Sequence, residues 1–139
     1  MASARFAHLA DCFGCGRANP GGLRLHLDAD ADHAWCRTSF GAQHQGAPGL
    51  VHGGLLVTLL DEVMGSLPMH DPGVRVTKSM AVRFRRPVRI DRDLDAVATV
   101  QARDGRNVTI EGVVRYADHD DVRVEVTAEY VVLDAIAAP

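Results

Sequence analysis

The chain has 139 residues, 47% of them hydrophobic and 24% charged, with a formal net charge of -3. That length and balance suit a single globular domain, spanning 1–139, large enough to bury a core without disulfide staples. The charge leaves no basic excess to draw nucleic acid or an anionic membrane, so neither is expected as a partner.

Residues 1–22 read as an irregular segment, with dense turn chemistry at Asn19-Pro20-Gly21-Gly22. Alternation in Leu23–Leu27 and, more weakly, in Ala34–Phe40 predicts a hairpin whose turn is Asp28–Asp32. A loop from Gly41 to Val51 follows. From Gly53 to Leu67 the residues Leu55, Leu56, Leu59, Leu60, Val63, Met64 and Leu67 recur at three- and four-residue spacing, which predicts a helix with one broad apolar face. Pro68 and Asp71-Pro72-Gly73 end it.

Four strands are predicted beyond it. Val74, Val76, Met80, Val82 and Phe84 alternate with polar residues, and Pro87 closes the run. Leu94–Ala102 alternates, then Asp104-Gly105 marks a hairpin turn. Val108, Ile110, Val114 and Tyr116 share a face of the third strand. Asp118–Asp121 turns the chain into the fourth, Val122–Val132, and 135–139 is expected to fray. A lone helix with one apolar face must bury it, and the only large partner is the sheet. An α+β hotdog fold follows, a curved antiparallel sheet wrapped around one long helix. Its exposed edges lead us to expect a homodimer, and a dimer of dimers is open.

Met1–Ala10 lacks the long apolar stretch of a secretory leader. The central apolar run is broken by Asp61 and Glu62 and is too short to span a bilayer. Three cysteines, Cys12, Cys15 and Cys36, are an odd number, which argues against a complete disulfide framework and for reduced thiols in the cytoplasm. Cys12 and Cys15 form a Cys-x-x-Cys pair. A structural zinc needs four ligands, and Cys36, His26, His33 and His44 are the candidates for the rest, but no second paired motif exists. The pair reads instead as a tight loop with small thiols, and no metal or other cofactor is expected. His8, His70 and His119 read as surface residues.

The chemistry-bearing segment is Val51-His52-Gly53-Gly54 through Asp61-Glu62. Gly53 and Gly54 stand where loop becomes helix, where backbone N–H groups lack intrahelical partners at the positive end of the helix dipole. Without side chains they let a ligand oxygen approach the backbone, as an oxyanion hole requires. Gly54, Thr58, Asp61 and Gly65 form a narrow stripe of small or polar residues among leucines. A carboxylate there serves either as nucleophile or general base, or as a buried group satisfied by a backbone N–H or by Thr58. Glu62, one position round the helix, reads as solvated or arginine-paired and is the second choice for the carboxylate. Arg83, Arg85, Arg86 and Arg89 read mostly as a solvated strand face, with Arg85 or Arg86 as a phosphate contact.

Val51-His52-Gly53-Gly54 with the later Asp61 resembles the acyl-CoA thioesterases of the hotdog superfamily, in their PaaI-like branch. Cys12-Phe13-Gly14-Cys15-Gly16, Asn19-Pro20, Gly22-Leu23, Val76-Thr77-Lys78-Ser79 and Phe84-Arg85-Arg86-Pro87-Val88 are similar to other stretches of that family. The resemblance implies hydrolysis of a CoA thioester, without a cofactor, by a site shared between two subunits. Gly53 then polarises the thioester carbonyl, Asp61 is nucleophile or general base opposite the partner's glycine, and Thr77 helps hold the attacking water. His52 orders the loop, and Lys78 lies in the matching strand. Some relatives place an Asn before the His-Gly-Gly element. Here the loop reads His44-Gln45-Gly46, so Gln45 is the candidate second oxyanion donor. Two other readings are weighed: a non-catalytic acyl-CoA binding module, and a hotdog dehydratase using His52 with Glu62.

Overall fold

The computed structural model describes residues 9–67 and 74–134. His8, His70, the helix stop at Pro68 and Asp71-Pro72-Gly73, and the tail 135–139 lie outside the described residues. Six strands form one antiparallel sheet: β1 (Asp28–Ala29), β2 (His33–Thr38), β3 (Val74–Phe84), β4 (Leu94–Asp104), β5 (Asn107–Tyr116) and β6 (Val122–Leu133). Their spatial order is β1-β2-β4-β5-β6-β3, and one helix, α1 (Gly53–Gly65), packs on the sheet. This is the hotdog architecture that the element order predicts.

The strand alternation builds the core. Leu94, Ala96 and Ala98 of β4, Ile110 and Val114 of β5, and Val124 and Val126 of β6 are buried on one face, against Leu59, Leu60, Val63 and Met64 of the helix. Gly112 lets the helix come close: a Cβ there would stand 3.0 Å from Leu60 and 3.4 Å from Met64.

Two departures from simple alternation matter. The predicted strand at Leu23–Leu27 is not a strand. Arg24 adopts φ 52°, incompatible with a regular strand, and the amides of Leu23 and Leu25 donate to Phe13 O and Gly14 O instead. The hairpin is therefore shorter and lies further along the chain. Asp28 and Ala29 pair with Trp35 and Ala34, and Asp30 Oδ1 caps the turn by accepting from the amides of Asp32 and His33.

The second departure is in β3. Thr77 pairs with Tyr130 and Ser79 with Glu129, so Lys78 is an extra residue in the ladder. Paired residues of antiparallel strands point the same way, and the buried face of β6 carries Val124, Val126, Ala128, Tyr130 and Val132. Met80, Val82 and Phe84 pair with the first three. Below the bulge it is Thr77 and Arg75, not Val76 and Val74, that pair with Tyr130 and Val132. The alternation read from Val74 to Phe84 thus changes parity at Lys78.

Candidate active site

Helix α1 begins at the His-Gly-Gly element, with His52 as its N-cap. His52 Nδ1 accepts the Gly54 N–H at 3.0 Å. That bond occupies one of the two glycine amides named from sequence. The Gly53 amide has no acceptor among the described residues, while Leu55 and Leu56 both donate to His52 O. The open donor at the positive helix end is thus Gly53, and the phenyl ring of Phe84, itself 56% exposed, lies beside it.

The preceding loop is braced by its own side chains. Gln45 Nε2 donates to Ala42 O at 3.0 Å, Gln45 Oε1 accepts the Gly49 N–H at 2.7 Å, and His52 N donates to His44 O at 2.9 Å. The Gln45 carboxamide is turned into this loop by both of its ends. Thr58 is likewise bonded within its own element, its hydroxyl donating to Gly54 O at 2.9 Å.

Two turns along α1, Asp61 meets the sheet. Thr77 Oγ1 donates to Asp61 Oδ1 at 2.8 Å, and Tyr130 Oη donates to the same oxygen at 2.6 Å. The Tyr130 hydroxyl also lies 3.2 Å from Asp61 O. The carboxylate is neither sealed against a backbone N–H nor bonded to Thr58. Two hydroxyls from the strand pair at the bulge hold one of its oxygens, and Oδ2 has no partner among the described residues. Burial, then the neighbouring carboxylate, pushes the Tyr130 hydroxyl well above its usual range, so it stays a donor at neutral pH.

Tyr130 was not singled out from sequence. It is 69 positions from Asp61 and sits in the alternating buried set of β6. The signal available was a hydroxyl on an otherwise apolar face, which requires a polar partner.

Glu62 is half-buried against the N-terminal loop. Cys12 Sγ lies 3.6 Å from its Oε1 and 3.8 Å from its Oε2, and Cys15 joins the same cluster. The candidate zinc ligands named with those cysteines are elsewhere. His26 lies near Asp28, His33 near Asp30, and His44 Nδ1 accepts from Gly41 N. Cys36 is buried in β2, where burial pushes its thiol up to about 11. His119 is exposed beside Asp118.

Of the arginines, Arg85 is bonded to Glu125 at 2.7 Å, and its backbone amide and that of Arg86 both donate to Arg123 O. The Arg86 side chain is exposed with no ion-pair partner among the described residues. Lys78 lies 3.9 Å from Glu129, both exposed. No helix among the described residues is long and apolar enough to cross a membrane.

A hotdog sheet with a carboxylate on its helix and an open amide at the helix start defines a class of thioester-handling folds. A family model described as the thioesterase superfamily matches residues 48–129, and the chain belongs to that superfamily. Bovine acyl-coenzyme A thioesterase THEM4 is 29% identical over 105 residues, covering 76% of this chain and 43% of that protein. The mouse protein of the same name is 27% identical over 94 residues, covering 68% and 40%. The chain thus spans about two fifths of the length of the curated relatives it matches. Among solved structures, a thioesterase superfamily protein superposes with a TM-score of 0.78 at 27% identity, covering 88% of this chain and 60% of that one. The Escherichia coli PaaI protein superposes with a TM-score of 0.71 at 16% identity, covering 80% of each chain, a likeness of fold.

Proposed function

We propose that this chain is an acyl-CoA thioesterase whose active site is completed by a second copy. The observation that carries the reading is the posture of Asp61: one oxygen held by Tyr130 and Thr77, the other without a partner among the described residues. That posture suits a base whose Oδ2 takes a proton from water. The hydroxide adds to the thioester carbon, and the Gly53 N–H stabilises the oxyanion. The tetrahedral adduct then collapses with cleavage of the C–S bond, releasing the acid and CoA thiolate, which is reprotonated. Direct attack by Oδ2 through an anhydride uses the same placement. A single turnover in ¹⁸O-water separates the two, since only the anhydride route leaves label in Asp61.

Gly53 and Asp61 of one chain cannot serve one carbonyl. Eight residues of helix separate them by about 12 Å along the axis and roughly 80° around it. Both groups must come within about 3 Å of the reacting centre. The amide facing Asp61 is therefore assigned to the partner's helix. The edge strand β3, eleven residues long, offers a ladder for such a pairing, and it also carries Thr77. Arg86 is the contact assigned to CoA phosphate, because Arg85 is already bonded to Glu125.

The dehydratase reading needs His52 and Glu62 at one substrate carbon. His52 Nδ1 caps the helix, Glu62 faces the cysteine loop, and ten helical residues put them about 15 Å apart. A purely binding module gives no reason for two hydroxyls to hold one oxygen of the carboxylate.

Gly53→Pro is the cleanest test. Position 53 is the first helical residue, where proline is well tolerated, and His52 already has the extended φ -58°, ψ 129° that precedes proline. The substitution removes the N–H and keeps the helix. Release of free CoA from a panel of acyl-CoAs should fall about 100- to 1000-fold with the melting temperature held. Unchanged turnover would remove Gly53 from the mechanism.

A further inference from the structure

The N-terminal loop and the helix meet at a cluster that thioester hydrolysis does not use. Ligating atoms of Cys12, Cys15 and Glu62 all lie within 4.8 Å of one another, each residue half-buried. A tetrahedral zinc, with Zn–S about 2.3 Å and Zn–O about 2.0 Å, would space its sulfurs about 3.8 Å apart and each sulfur about 3.5 Å from the oxygen. Cys12 Sγ stands 3.6 Å from Glu62 Oε1.

The loop is shaped around its first sulfur. The amides of Gly14 and Cys15 both hydrogen-bond to Cys12, and Gly16 N closes the turn onto Cys12 O at 2.9 Å. Two glycines make the fit. A Cβ on Gly14 would collide with the Glu62 side chain, and one on Gly16 would collide with the Cys12 backbone. A bound dication would offset two of the three negative charges of two thiolates and a carboxylate.

We infer that Cys12, Cys15 and Glu62 form a binding site for one zinc-type divalent transition metal, with a fourth position open to water. The donor set selects the metal class, since thiolates favour zinc over magnesium or calcium. The site ties the N-terminal loop to α1 at the residue next to Asp61. It lies partly outside the family-matched span of 48–129 and does not depend on the thioesterase reading.

The whole chain, reduced with a phosphine and stripped with a chelator, is titrated with Co²⁺ and then Zn²⁺. One equivalent of Co²⁺ should give a sulfur-to-cobalt charge-transfer band in the near ultraviolet and tetrahedral d–d bands, both removed by one equivalent of Zn²⁺. Cys12→Ser and Cys15→Ser should each weaken zinc binding at least about tenfold and diminish the charge-transfer band. Glu62→Gln, which keeps the side-chain volume, should weaken zinc binding while keeping the sulfur band. Circular dichroism checks that each variant folds. No uptake by the reduced folded protein, uptake unaffected by Cys12→Ser, or thiols recovered only as a Cys12–Cys15 disulfide without metal would each overturn the site.

Discussion

Asp61 and Glu62 are neighbours in sequence and carry the same functional group, yet the fold gives them different surroundings. Asp61 faces the junction of β3 and β6, where two hydroxyls fix one oxygen and leave the other open. Glu62, about 100° round the helix, lies beneath the N-terminal loop among thiols. A carboxylate's role is set by what donates to it and what can reach it, and one helical step changes both.

The largest expected effect separates the two directly. Asp61→Asn should lower turnover of acyl-CoA about 100- to 10,000-fold, the range for a removed general base, with oligomeric state unchanged by light scattering. Glu62→Gln should lower it by less than about tenfold; if both variants were equally inactive, the contrast between the flanks would collapse. Tyr130→Phe comes next. It removes the shorter bond to Oδ1, and kcat should fall about tenfold, roughly the 1.5 kcal/mol at the low end for a hydrogen bond to a charged group, with KM little changed. A rise in KM alone would make Tyr130 a substrate contact. The smallest effects are on stability. Gly14→Ala forces the loop off Glu62 and should cost about 1–3 kcal/mol in denaturant unfolding, while Asp61 chemistry persists. Gly112→Val crowds Leu60 and Met64 and should cost a similar amount.

The parts of the fold legible in sequence are those set by local periodicity. The periodicity predicts helix α1 over Gly53–Leu67 and the helix runs Gly53–Gly65, because its leucines repeat at helical spacing and its glycines mark the entry. The buried face of β5 matches Val108, Ile110, Val114 and Tyr116 for the same reason. Features that depend on distant pairing were not legible. Leu23–Leu27 alternates like a strand, but its hydrogen bonds go to the cysteine loop. Cys12 is 50 positions from Glu62, and Tyr130 is 69 from Asp61. Spacing along the chain cannot report such contacts.

The bulge at Lys78 has a consequence of its own. A strand shows its side chains in only two phases, and one additional residue exchanges them. Deleting Lys78 would leave Thr77 opposite Tyr130 and Ser79 opposite Glu129 as consecutive pairs of an unbroken ladder, so Thr77 and Met80 would both keep the inner face. The hydroxyl's position is carried by its pairing across the ladder with Tyr130, so removing Lys78 should straighten the strand and preserve the hold on the carboxylate, with acyl-CoA turnover retained.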